Sequence, residues 1–153
     1  MTQSASDSAG LPETTDVAAN VARGVIRLLS DMGVSAITEM PLRNGRRVDV
    51  MGIGRDGRIT VIEVKSCEAD FRADRKWPEY LTYCDFFYFA VPEGFPLAIL
   101  PEEPGLMVAD RFDAVVLRPA PETAMNASRR RNVTLRFARA AADRLVRATD
   151  QRL

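Results

Sequence analysis

Apolar residues recur between positions 16 and 32 at Val17, Val21, Val25, Leu28, Leu29 and Met32, with Gly33 behind them. That spacing predicts an amphipathic helix ended by the glycine. Ahead of it, residues 1–13 are polar and rich in Ser, Thr and Ala, and read as a flexible tail to a single domain over 14–153. Beyond Gly33 the period shortens. Ser35–Leu42 reads as a short strand and Asn44-Gly45 as a turn. Val48–Ile53 and Ile59–Lys65 read as two β-branched strands joined through Gly54-Arg55-Asp56-Gly57-Arg58, a hairpin. Apolar side chains fall on both faces of these strands, which suits a covered, central hairpin. Residues 68–84 read as a loop followed by a helix starting near Pro78, and Asp85–Val91 as a buried strand. A proline-rich loop over 92–105 leads to a strand pair at Leu106–Ala109 and Ala114–Leu117. A helix over Ser128–Ala148 closes the chain, with Leu135, Ala138, Ala142 and Leu145 as its predicted inner side. The order predicts a mixed α/β domain.

The chain has 153 residues, 21 basic and 21 acidic, and no histidine. Ser-His-Asp triads, Cys-His dyads and His-ligated zinc are thereby excluded. Hydrolytic chemistry is left to carboxylates, lysine, hydroxyls or an oxygen-ligated metal. The zero net charge is segregated: residues 1–22 carry −3, 23–76 carry +3, 77–127 carry −6 and 128–153 carry +6. Of the basic residues 19 are arginine, the better bidentate phosphate binder, and only Lys65 and Lys76 are lysine. Cys67 and Cys84 make no disulfide framework. With no leader pattern and no 18-residue apolar run, an intracellular, cytoplasmic protein without membrane partners is expected.

The hairpin carries the candidate chemistry. Folding it about Asp56 pairs 53 with 59, 51 with 61, 49 with 63 and 47 with 65, which sets Asp49 across from Glu63. Two facing carboxylates need a shared proton, an arginine or a divalent cation. Oxygen ligation suits Mg²⁺ or Mn²⁺, and Lys65, two residues on, could orient or deprotonate a water. The plainer alternative is surface ion pairing of Asp49 with Arg47, or of Glu63 with Lys65. The same hairpin spells G-x-G-x-x-G over Gly52–Gly57, but it opens a strand where a dinucleotide fingerprint opens a helix, so that reading is rejected.

Asp49 followed by Glu63-Val64-Lys65 resembles the PD-(D/E)XK nuclease signature, although Val48 stands where that superfamily usually has proline. More narrowly, residues 23–122 resemble the MmcB family of bacterial DNA-repair proteins. The match is carried by Arg46-Arg47-Val48-Asp49, Ile62-Glu63-Val64-Lys65-Ser66, the run Asp70–Tyr80, Phe87–Pro92 and Gly105–Arg111. The resemblance implies a restriction-endonuclease-like αβββαβ core with a mixed central sheet flanked by helices. It also implies a Mg²⁺- or Mn²⁺-dependent deoxyribonuclease of DNA repair, nucleoid-associated and alongside other repair proteins. Asp49, Glu63 and the Val64 carbonyl would hold the metal, with Glu39 as a further acid and Lys65 positioning the water. The alternative is a non-catalytic DNA-binding or adaptor protein on the same fold.

DNA contacts are expected from Arg46, Arg47, Arg72, Arg75, Lys76 and Trp77, where basic residues precede an aromatic that could stack a base, its plainer role being core packing. Asp70 and Asp74 in that segment could support the metal or merely balance charge. On the last helix, Arg136, Arg139 and Arg147, preceded by Arg129–Arg131 and flanked by Arg144, read as a phosphate-tracking stripe or as a solvated face.

Overall fold

The computed structural model describes residues 14–150 and 152, so the predicted tail at 1–13 lies outside the described residues. Six strands form one sheet: β1 (Ser35–Pro41), β2 (Arg47–Ile53), β3 (Ile59–Val64), β4 (Phe86–Val91), β5 (Gly105–Ala109) and β6 (Ala114–Arg118). Their order in the sheet is their order in the chain. β1–β2–β3 is an antiparallel meander, β3–β4 and β4–β5 are parallel, and β6 returns antiparallel to β5. With α1 (Thr14–Asp31) before the meander and α2 (Glu68–Ala73) in the β3–β4 crossover, the chain shows the αβββαβ order. α3 (Ala127–Thr149) ends it.

The sheet is covered on both faces. Val21, Val25 and Leu29 of α1 bury against Val50, Ile62, Tyr88, Ala90 and Met107. Gly24 permits that approach, because a Cβ there would sit 1.9 Å from the Asp110 carbonyl oxygen. On the other face Met51, Val61, Phe87 and Phe89 meet Tyr80 and, from α3, Val133 and Phe137. The β2–β3 register pairs Ile53 with Ile59, Met51 with Val61 and Val50 with Ile62, the hairpin predicted around Asp56.

Two predicted elements differ. In place of one helix from Pro78, residues 68–84 form α2 and a separate 3₁₀ helix over Trp77–Tyr83, with Pro78 in its first turn. α3 docks on a face other than the predicted one. Val133 and Phe137 are buried, whereas Leu135 and Leu145 are 58% and 65% exposed. Polar clamps at each end of α3 choose the face. Arg130 donates to Asp85 Oδ2 at 2.7 Å, Asp85 Oδ1 at 2.5 Å and the Gly57 carbonyl at 3.1 Å. Arg144 donates to the Glu39 carbonyl at 2.8 Å and also to the Thr38 carbonyl. Positions 130, 133, 137 and 144 share one helical stripe, which unites the two buried apolar side chains with the arginine that satisfies the buried Asp85.

Candidate active site

The predicted carboxylate pair sits where the regular ladder stops. Cα pairing of β2 with β3 ends at Val50–Ile62, so the expected 49–63 and 47–65 pairs are not ladder pairs. Side chains take over. The Asp49 amide donates to Glu63 Oε1 at 3.0 Å, and the Val64 amide donates to Asp49 Oδ2 at 2.8 Å. Each carboxylate thus accepts from the strand opposite, which holds the two acids side by side. The neighbouring β1 is distorted at the same level: Glu39 has φ +50°, a left-handed conformation unusual for a residue with a side chain.

Glu63 and Lys65 are buried and Asp49 is half-buried. Burial, and then the charge of Asp49, push the Glu63 carboxyl up to about 8. Burial also raises Asp49, against the pull of the Val64 amide and Lys65. Burial of two adjacent carboxyls thus favours a proton on the pair. Lys65 does not neutralise it by direct pairing. Its Nζ lies 2.7 Å from Asp74 Oδ2. Burial would raise Asp74, but the hydrogen bond from Lys65 and those from the Lys76 and Trp77 amides outweigh it and hold that carboxyl low. Neither predicted surface ion pair forms: among the described residues Asp49 and Glu63 make no salt bridge, and Arg47 approaches Glu39 at 3.9 Å.

Asp49, Glu63, Val64 and Lys65 open together onto a cleft of about 560 Å³. Ala18, Ala22 and Arg23 of α1 form one wall, and Thr38, Glu39 and Asp70 line the rest. Glu39 reaches this cleft with its side chain 65% exposed. Asp70 accepts from the Ser66 amide at 3.1 Å and so braces the turn after Lys65. Arg23 escaped sequence reasoning; the signal available was the alanine-lined face at 18, 19 and 22 beside it, whose small side chains leave room for a cleft.

The expected DNA contacts divide. Arg75 and Lys76 are exposed and make no salt bridge among the described residues. Arg72 is paired with Glu68 at 2.7 Å, and Arg46 with Glu79. Trp77 is half-buried and takes the packing role named for it: its ring stacks on Phe87 at 5.6 Å between centroids and meets Phe89 edge-on at 5.3 Å.

Among the described residues no three His, Cys, Asp or Glu side chains are grouped for a metal. Two carboxylates with a peptide carbonyl still fit Mg²⁺, which keeps several waters and commonly uses one or two protein carboxylates. The donor chemistry agrees, since a divalent cation would replace the proton that burial favours on the pair.

A family model described as DNA repair protein MmcB-like matches residues 4–152. The chain belongs to this DNA-repair family. Among solved structures, this MmcB-like protein is similar to a Silicibacter pomeroyi protein of unknown function, at 46% identity over 88% of this chain and 92% of that one, with TM-score 0.85. A repair endonuclease from Pyrococcus abyssi also matches, at 25% identity over 48% of this chain and 37% of that one, with TM-score 0.36, a likeness too partial to argue from. No curated protein matches. Among the described residues no helix of the MmcB-like chain is long and apolar enough to cross a membrane.

Proposed function

We propose that this protein is a metal-dependent DNA phosphodiesterase of DNA repair. The observation that carries the reading is the buried Asp49–Glu63 pair, cross-braced by backbone amides and open to a cleft beside Lys65. Asp49, Glu63 and the Val64 carbonyl would hold Mg²⁺ or Mn²⁺. When bound, that ion supplies an activated water and charge stabilisation at the phosphoryl oxygens.

This chain's own residues do the rest. The reciprocal amide bonds fix both carboxylates before any substrate arrives, so little reorganisation is needed at the reaction. Asp74 takes one N–H of the Lys65 ammonium and leaves two for the attacking water and a phosphoryl oxygen. Attack forms a P–O bond from water, which gives up a proton to solvent, and breaks the bond to the leaving sugar oxygen, which takes a proton up from solvent. Arg75 and Lys76, exposed and unpaired, and Arg47 at the cleft's rim are available to backbone phosphates.

The absence of a third grouped acid among the described residues favours one second reading, a non-catalytic DNA-binding or adaptor protein. Both are tested by incubating nicked, flapped, single-stranded and duplex DNA with Mg²⁺ or Mn²⁺. The nuclease reading expects cutting by the wild type and its loss in Asp49→Ala, with a drop of about 10²–10³-fold in Lys65→Ala. DNA binding without cutting establishes the adaptor, and cutting that survives both substitutions places the chemistry elsewhere.

A further inference from the structure

A second cleft of about 470 Å³ lies between the N-terminal half of α3 and the β1–β2 hairpin. Arg43, Arg129 and Arg136 line it with Asn132 and Tyr83, and no carboxylate does. Arg46, Arg47, Arg58, Arg72 and Arg130 each meet a carboxylate. Arg43, Arg129 and Arg136 have none within 4.0 Å among the described residues.

The fold gathers the three arginines at one cleft. Arg129, Asn132 and Arg136 recur at helical spacing on one face of α3, beside the buried Val133. Arg129 lies over the Tyr83 ring, 4.9 Å from its centroid. Arg43 comes across from the turn after β1. Concentrating like charges in a concavity is unfavourable unless an anion enters, and guanidinium forks match phosphate oxygens bidentately. The α3 terminus is not the attraction, because the Asn126 side chain already accepts from the Ser128 and Arg129 amides at 2.9 and 3.3 Å.

The cleft is also near the carboxylates. Thr38 and Glu39 of β1 line the first cleft, while Met40 and Leu42 line the second. Glu39, on the edge strand β1, and Leu42, just past its end, are three residues apart, about 10 Å along an extended chain, and a nucleic-acid strand joining the clefts passes over that edge, since α1 walls the first and α3 the second. We propose that Arg43, Arg129 and Arg136 form a phosphate-binding site for the backbone of a nucleic-acid strand whose reacting phosphodiester lies at Asp49 and Glu63. This rests on the nucleic-acid part of the reading above, but not on cleavage.

The test is binding of labelled single-stranded and duplex oligonucleotides to the full chain across a salt series. The variants are Arg43→Gln, Arg129→Gln and Arg136→Gln, singly and together. Arg27→Gln/Arg55→Gln/Arg111→Gln, all exposed and outside both clefts, removes the same charge elsewhere. Each cleft arginine is expected to lower the log–log salt slope by about 1, and the triple variant to weaken binding roughly tenfold or more at 0.1 M salt. The control should fall by far less. Thermal melts of each variant separate lost binding from lost folding, and the single variants carry the test if the triple one melts early. Wild-type binding that the cleft variants match, or that the control loses equally, overturns this site and leaves the proposed function standing. A wild type that binds no DNA overturns both.

Discussion

Asp85 and Glu63 are both carboxylates buried in the same sheet, 2% and 5% exposed, and the protein treats them oppositely. Asp85 is fully answered. The Ile59 amide donates to Oδ2 at 2.8 Å, and Arg130 grips both oxygens. Burial pushes that carboxyl up, but Arg130 and the amide outweigh it, so Asp85 stays charged. Glu63 receives one amide, faces another carboxylate, and sees the nearest ammonium turned to Asp74. Its proton affinity rises. Burial alone therefore does not fix a carboxylate's charge; the supply of donors does. One acid joins α3 to the β2–β3 hairpin, and the other is left short of donors and holds a proton more tightly.

The sharpest way to break the contrast is to make Asp85 resemble Glu63. Arg130→Ala strands a buried charge and should cost about 3–5 kcal/mol in a denaturant melt. Arg130→Ala/Asp85→Asn should recover part of that loss. If Arg130→Ala costs under about 1 kcal/mol, Asp85 is not held as described.

Next comes pH. The Glu63 carboxyl rises from 4.5 unfolded to about 8 folded. Its protonation thus stabilises the metal-free fold fully below pH 4.5, and that contribution disappears as pH rises through 8. Asp85 works in the other direction, its contribution lost only as pH falls below 3.8 toward its lowered folded value. Melts of metal-free protein should weaken by about 5 kcal/mol across the Glu63 window. Glu63→Gln should flatten that slope and leave the acid limb unchanged. An unchanged slope would remove the protonated pair from the account.

A cation should then substitute for the proton. At pH 8, Mg²⁺ or Mn²⁺ at a hundred times its dissociation constant should stabilise wild type by about 2.7 kcal/mol, against little in Glu63→Gln or Asp49→Asn. Equal shifts in all three would place the ion elsewhere. The smallest effect is expected at Glu39. Glu39→Gly relieves a left-handed residue and should raise stability by about 0.5 kcal/mol without altering the pH slope. A changed slope would make Glu39 a working member of the carboxylate group.

Much of this site was legible because strand alternation and a two-sided turn are local. The residues flanking Asp56 set the hairpin register, which carries the strands to the level of Asp49 and Glu63, and side-chain bonds to backbone amides bring the two acids together there. What stayed hidden depended on long-range polar contacts. Nothing within the hairpin indicates that Lys65 turns to Asp74, a residue of the later crossover. The docking face of α3 was misread for the same kind of reason. Arg130 and Arg144 find their partners in segments far back in the chain, and the aliphatic stripe of Leu135 and Leu145 promised a stronger seam than the helix uses. α2 was missed because its six residues contain none that is buried, so no apolar period announced it.

The agreement between strand order and chain order bears on how the molecule is made. No strand has to thread between two that are already paired, so each can join the free edge of the growing sheet as it leaves the ribosome. The pairings are made between successive strands, an economical topology for folding. Both acids are synthesised ahead of the segment bearing Asp74 and long before α3 supplies Arg144. For part of its synthesis the nascent chain therefore carries both acids before the lysine's partner or the last helix exists.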